Sequence, residues 1–243
     1  MNFVLPAYSK SLSISAVFAI VSFICTIGVA RADYTINDVA PYVYTAPALP
    51  SGSLIASISF DQIESVVASD SSGNANDAVL SDDSVWAPGI SGSAISFDGG
   101  DNRALIPNDV IGTGSVTACA WYNVNSTPAG AVLISNNAFS ISIDASGTFE
   151  VSNNGGANTV SATSQIVPGN WEHVCVARSQ SGDASIYING VLNAQGNAGM
   201  PISGTEVSIG NSSWNDDHGF DGMVDEVRIY AGALSASQIS ALQ

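Results

Sequence analysis

Short runs of alternating apolar and polar residues, each closed by glycine, asparagine, aspartate or serine, recur from residue 53 to the end of this chain. They include SLIASISF, SAISFDG, RALIP, SVTACAWYNV, AVLIS, FSISIDA, TFEVS, WEHVCVARS, ASIYING and EVSIG. A period of two sends successive side chains to opposite sides of a strand, so each run can bury one face. Asn189-Gly190, between IYI and VLNA, suits a type I′ hairpin, which needs positive φ at both central residues. Gly147 is expected to turn FSISIDA into TFEVS. A helical period appears at the C-terminus, in LSASQISAL, with Ser235 as its N-cap. About a dozen strands with one short helix imply an all-β fold, a two-sheet antiparallel jelly-roll sandwich. Roughly 190 residues suffice for one core of that kind, so residues 53–243 are expected to form one domain.

The closing run is FDGMVDEVRIYAGALS, residues 220–235. Strict alternation puts Met223, Asp225, Val227 and Ile229 on one face. Gly222, Val224, Glu226, Arg228 and Tyr230 take the other. Asp225 then stands among apolar neighbours, where a carboxylate needs a cation or hydrogen-bond donors.

Residues 1–32 read as a signal peptide. Lys10 is the one charge ahead of the apolar run SLSISAVFAIVSFICTIGVA, and Ala30-Arg31-Ala32 has the small-x-small pattern of a cleavage site, so the mature chain begins at Asp33. A membrane anchor is the competing reading, because the run approaches spanning length. Cleavage predicts a secreted, periplasmic or extracellular protein with no membrane span in its mature chain. Residues 33–52 carry three prolines and no sustained periodicity. They read as a linker or an arm, with Tyr42 and Tyr44 placed to dock on a sheet.

The formal net charge is −16. Loss of the leader removes Lys10 and Arg31, leaving Arg103, Arg178 and Arg228 beside 21 acidic residues. Such a surface repels nucleic acid and anionic lipid, which are excluded as partners. It suits neutral sugars, divalent cations or a saline medium. Cys25 also leaves, so Cys119 and Cys175 remain in an oxidising compartment. A disulfide between neighbouring strands is expected, worth about 4 kcal/mol by chain entropy; two buried thiols are the alternative. Zinc-type Cys/His spacing is absent. Asn125-Ser126-Thr127 and Asn211-Ser212-Ser213 match the glycosylation sequon.

Six motifs appear in a particular order: SFD at 59–61, SSGNANDA at 71–78, WAPGISGSAISFDG at 86–99, WEHV at 171–174, IYINGV at 186–191 and FDGMVDEVRIY at 220–230. Residues 54–242 thereby resemble the LamG-like (laminin G-like) jelly roll of the concanavalin A-like lectin/glucanase superfamily. The resemblance implies a structural calcium where first and last strands meet. Carried over by position, its ligands are Asp61, Asp77 and Asp225, with Asn76 or a backbone carbonyl assisting. Simple acceptance of turn amides by these carboxylates is the alternative. Trp171 and Trp121 read as core aromatics, and His173 as the structural histidine of the WxHV pattern.

The run NSSWNDDHGFDG at 211–222 reads as a loop. Trp214, Asp216, Asp217 and His218 would set an aromatic face beside carboxylates and an imidazole, a combination suited to sugars. A solvated loop with one anchoring tryptophan is the plainer alternative. Glycoside hydrolysis needs two flanking carboxylates, which retaining glucanases of this fold present as Glu-x-Asp-x-(x)-Glu. That run is missing here: Glu150 and Glu172 stand alone, and Asp225 and Glu226 are adjacent. The expectation is a secreted non-catalytic binding module for carbohydrate or a surface protein, with calcium as stabiliser. An adhesion component without a sugar site is the alternative, and a polysaccharide-degrading enzyme a more distant one.

Overall fold

A computed structural model describes residues 53–62, 65–81, 85–136, 138–153, 158–212 and 218–243. The expected signal peptide at 1–32 and the expected linker or arm at 33–52 lie outside them. Two antiparallel sheets face each other. The first runs in the order β14 (Val191–Asn197), β13 (Asp183–Ile188), β12 (Trp171–Arg178), β7 (Val116–Val124), β16 (Asp221–Ala231), β5 (Ser93–Asp98), β4 (Val85–Pro88). β1 (Leu54–Ile58) pairs with the far half of β16, so the first and last strands of the domain lie side by side. The second sheet runs β11 (Asn158–Ser161), β10 (Phe149–Asn153), β9 (Phe139–Ile143), β8 (Val132–Ser135), β15 (Val207–Ile209), β6 (Ala104–Ile106), β3 (Ala78–Leu80), β2 (Val67–Ala68).

Alternation builds the core. In β7, Val116, Ala118, Ala120, Tyr122 and Val124 point between the sheets, where Phe149 and Phe220 pack around Tyr122. Asn189 and Gly190 both take positive φ, as the expected hairpin requires, and so does Gly147. The C-terminal helix α1 (Ala236–Ser240) is closed by a Ser235–Gln238 capping box. Among the described residues no helix is long and apolar enough to cross a membrane.

A smaller apolar cluster lies on the outer face of the first sheet. Cys119, Cys175, Tyr187, Tyr230 and Leu234 gather there beneath Ile239 of α1. Cys119 and Cys175 are direct cross-strand partners and form the expected disulfide.

Two expectations need correction. β16 does not alternate strictly: its register against β7 shifts between Asp225 and Arg228, and Glu226 adopts φ +51°. This bulge inserts one residue, so Val224 joins Val227 and Ile229 in the core, all three fully buried. Trp121 and Trp171 are not core aromatics. Both stand on the outer face of the first sheet, partly exposed and outside both buried clusters. Apolar residues occupy both parities of VTACAWYNV, and Tyr122 and Val124 take the inner one.

Candidate functional site

The four expected calcium ligands fall into two pairs. Asp61 and Asp225 both hold the β4–β5 turn. Asp225 is fully buried; its Oδ2 accepts from the Ser91 amide at 3.1 Å and its Oδ1 from the Glu226 amide at 2.7 Å. Exposed Asp61 accepts from the Ser93 amide at 3.0 Å. The turn fits because residues 89 and 92 have no side chain: a Cβ on Gly89 would strike Asp225 Oδ2, and one on Gly92 would strike Asp61 Oδ1. Burial pushes the Asp225 carboxyl up to about 6, against the pull of its amide donors.

The second pair belongs to the loop at residues 70–77. Asp77 Oδ1 accepts from the Asp70 amide at 2.8 Å, and the Asn76 side chain donates to Ile55 O at 2.9 Å. The hub of this loop is Asp70, which the sequence reading passed over. Its carboxylate accepts from the amides of Ser57, Ser72 and Asn76 and from the Ser72 hydroxyl. Burial opposes ionisation there, yet these bonds hold the group below its ordinary range. D-x-x-G-N-x-N loops of this kind are dense in local acceptors, and that density was the available signal.

Calcium needs six to eight oxygen ligands. Around Asp225 the amides of Ser91 and Glu226 donate to the carboxylate. As arranged, Asp61 and Asp225 fasten the β4–β5 turn through its amides. Among the described residues, the ligand-type side chains that converge within 4.8 Å are Cys119, His173 and Cys175, and the two sulfurs there are bonded to each other.

Of the expected ligand loop, Trp214, Asp216 and Asp217 lie outside the described residues. His218 sits beside Gly130, and its carbonyl accepts from the Val132 amide at 2.9 Å. Next to it, Asp221 accepts from Asn125 Nδ2 at 3.0 Å and from Ser126 Oγ at 2.6 Å. Asp98 is the cross-strand partner of Asp221. Around Asp221 an amide and a hydroxyl therefore converge on a carboxylate whose cross-strand partner is a second one.

The two glutamates singled out in the sequence lie on different sheets. Glu150 is on β10 of the second sheet, bonded to the Ser142 hydroxyl at 3.1 Å; Glu172 is on β12 of the first. Burial raises both. Asp225 is committed to its turn, and Glu226 pairs with Arg228.

Residues 98–240 match the laminin G-like family of the concanavalin A-like lectin/glucanases superfamily. The chain belongs to this superfamily. No curated protein is similar enough in sequence to match it. Among solved structures, it is similar to domain 4 of an extracellular arabinanase from Geobacillus stearothermophilus, in complex with arabinotriose. That likeness has 22% identity and a TM-score of 0.66, covering 78% of this chain and 98% of the other. It is also similar to the binding domain of Paraclostridial Mosquitocidal Protein 1, at 17% identity and a TM-score of 0.62, covering 78% and 51%. A third likeness is to Trypanosoma rangeli sialidase, at 18% identity and a TM-score of 0.63, covering 80% and 33%. The chain thus spans about half of the second and a third of the third. Identities this low establish the shared fold, and that fold serves binding domains and a glycosidase alike.

Proposed function

We propose that this chain is an exported, non-catalytic carbohydrate-binding module. The observation that carries the reading is the loop end around Asp221, where Asn125 and Ser126 converge on a partly exposed carboxylate with groups that bond to hydroxyls. Support comes from the placement of Glu150 and Glu172 on different sheets and from the likeness to an arabinanase domain in complex with arabinotriose. The acidic surface points to uncharged sugars.

Screening the full chain on a glycan array that includes arabino-oligosaccharides tests the reading. Reproducible binding is expected, weakened in Asp221→Ala. Release of reducing ends from any bound glycan, abolished by Glu150→Gln or Glu172→Gln, would overturn the non-catalytic part. Absence of binding across the array would overturn the whole.

A further inference from the structure

Where α1 does not cover it, the outer face of the first sheet presents a continuous row of side chains across five strands. Strand register sets Trp171 opposite Asn123, Asn123 opposite Met223, Met223 opposite Ser96, and Ser96 opposite Val85. Cross-strand partners share a face. The parity of Ala120, Tyr122, Val174, Val224 and Ile95, all in the core, places this row on the solvent side. At about 4.8 Å per strand the row is roughly 19 Å long. Trp171, Met223 and Ser96 are partly exposed, and Val85 is 61% exposed.

A second tryptophan flanks the row. Trp121 lies diagonally from Trp171, next to His173, whose ring centroid is 5.1 Å from its own. His173 is buried and receives a hydrogen bond from the Gln243 side chain, so the surface beneath Trp121 is pinned. Polar groups accompany the rings. Asn123 is 7% exposed; its Nδ2 donates to Gly169 O at 3.2 Å, while its Oδ1 is buried without a hydrogen-bond partner. The Glu226–Arg228 pair, with side chains 17% and 30% exposed, closes the other flank of Trp121.

Two part-exposed indoles, a thioether and small polar groups on a flat sheet form an amphipathic surface. The C–H face of a sugar ring stacks on indole, and its hydroxyls find the Glu226–Arg228 ion pair. An extended row takes an extended ligand. With 21 acidic residues on the chain, an anionic ligand is repelled. We propose that this face binds a neutral polysaccharide laid across the strands, with Trp171 and Trp121 as its stacking platforms. The proposal rests on the carbohydrate-binding reading and gives it a site distinct from the loop end at Asp221.

The test is affinity gel electrophoresis of the full chain in arabinan, xylan, galactomannan and laminarin, with tryptophan fluorescence as a second readout. At least one polysaccharide is expected to retard the wild type. Trp171→Ala and Trp121→Ala should each weaken that binding about tenfold or more at an unchanged thermal midpoint, and Trp171→Phe should retain most of it. Ser96→Glu, which leaves both indoles in place, should also weaken it, through a charge set in the row. If wild-type retardation persists in all of these variants but is lost in Asp221→Ala, the platform is wrong and the binding-module reading stands. If no polysaccharide retards the wild type, both fall.

Discussion

Asp225 and Ser91, 134 residues apart in the sequence, meet through a 3.1 Å hydrogen bond from the serine amide to the aspartate Oδ2. The contact ties the last strand to the β4–β5 turn at a fully buried carboxylate. An asparagine there keeps one acceptor oxygen and turns N–H against N–H at the other. Asp225→Asn is therefore expected to lower unfolding stability by about 1–3 kcal/mol in urea melts. Because the fastening uses amides, excess chelator should leave the melting curve of the wild type in place. A lower melting point in chelator, with calcium found in the untreated protein by elemental analysis, would reverse that assignment.

Gly89 and Gly92 should respond unequally to alanine. At residue 89 the new methyl meets Asp225 and also the Ser93 backbone, which cannot swing away. At residue 92 it meets the exposed Asp61 side chain, and the remaining cost is the left-handed φ of +61°, about 1–2 kcal/mol. Gly89→Ala is expected to be the more destabilising of the two, and Asp225→Ala should fail to rescue it. Equal midpoints for the two alanine variants would contradict this ordering.

Two buried groups carry opposite pH linkage. Burial pushes Asp225 up to about 6 from 3.8, so between those values the folded state holds a proton that the unfolded chain has released. Its contribution is largest below about 4 and is lost as pH rises through about 6. Burial, helped by the Arg228 charge, holds His173 down at about 4, and the unfolded imidazole protonates first, near 6.5. That contribution is present above about 6.5 and is lost as pH falls toward 4. The two offset each other in the wild type. Asp225→Asn should make stability fall on acidification through this window relative to wild type, and His173→Gln should make it rise. Parallel pH slopes in the two variants would refute the assignment.

The Cys119–Cys175 bridge closes a sequence separation of 56 residues. Replacing both cysteines by alanine should cost about 2–5 kcal/mol, read as a lower urea midpoint. Because the pair sits under Ile239 and Leu234, near-ultraviolet circular dichroism should also lose signal from Tyr187 and Tyr230. A double variant as stable as the wild type would show that the small outer cluster, and not the covalent bond, holds β7 to β12.

The strands, the Asn189-Gly190 hairpin, the Ser235 cap and the cysteine pair were legible in the residues. Period-two patterning, positive-φ turn chemistry and capping all act over a few positions of the chain. Loci that depend on distant partners were not legible. Arg178, read in the sequence simply as a charge, is a fully buried cation that donates to Gly112 and Gly114 carbonyls and lies 5.5 Å from the Phe139 ring centroid. Asp109, overlooked entirely, joins Gly112, Asn136 and Gly204 from three separate segments.

The outer position of the two tryptophans has the same origin. By itself the sequence determined that Trp121 and Trp171 lie in strands and that Asp225 needs a cation or hydrogen-bond donors. Which side of the sheet those rings occupy was decided in the folded molecule, where Tyr122, Val124 and Val174 take the interior. Strand parity is a choice between two faces of nearly equal apolarity, and packing against the second sheet makes it. The bulge at Glu226 likewise exists because Val224, Val227 and Ile229 gain more by sharing one core than β16 loses by interrupting its ladder.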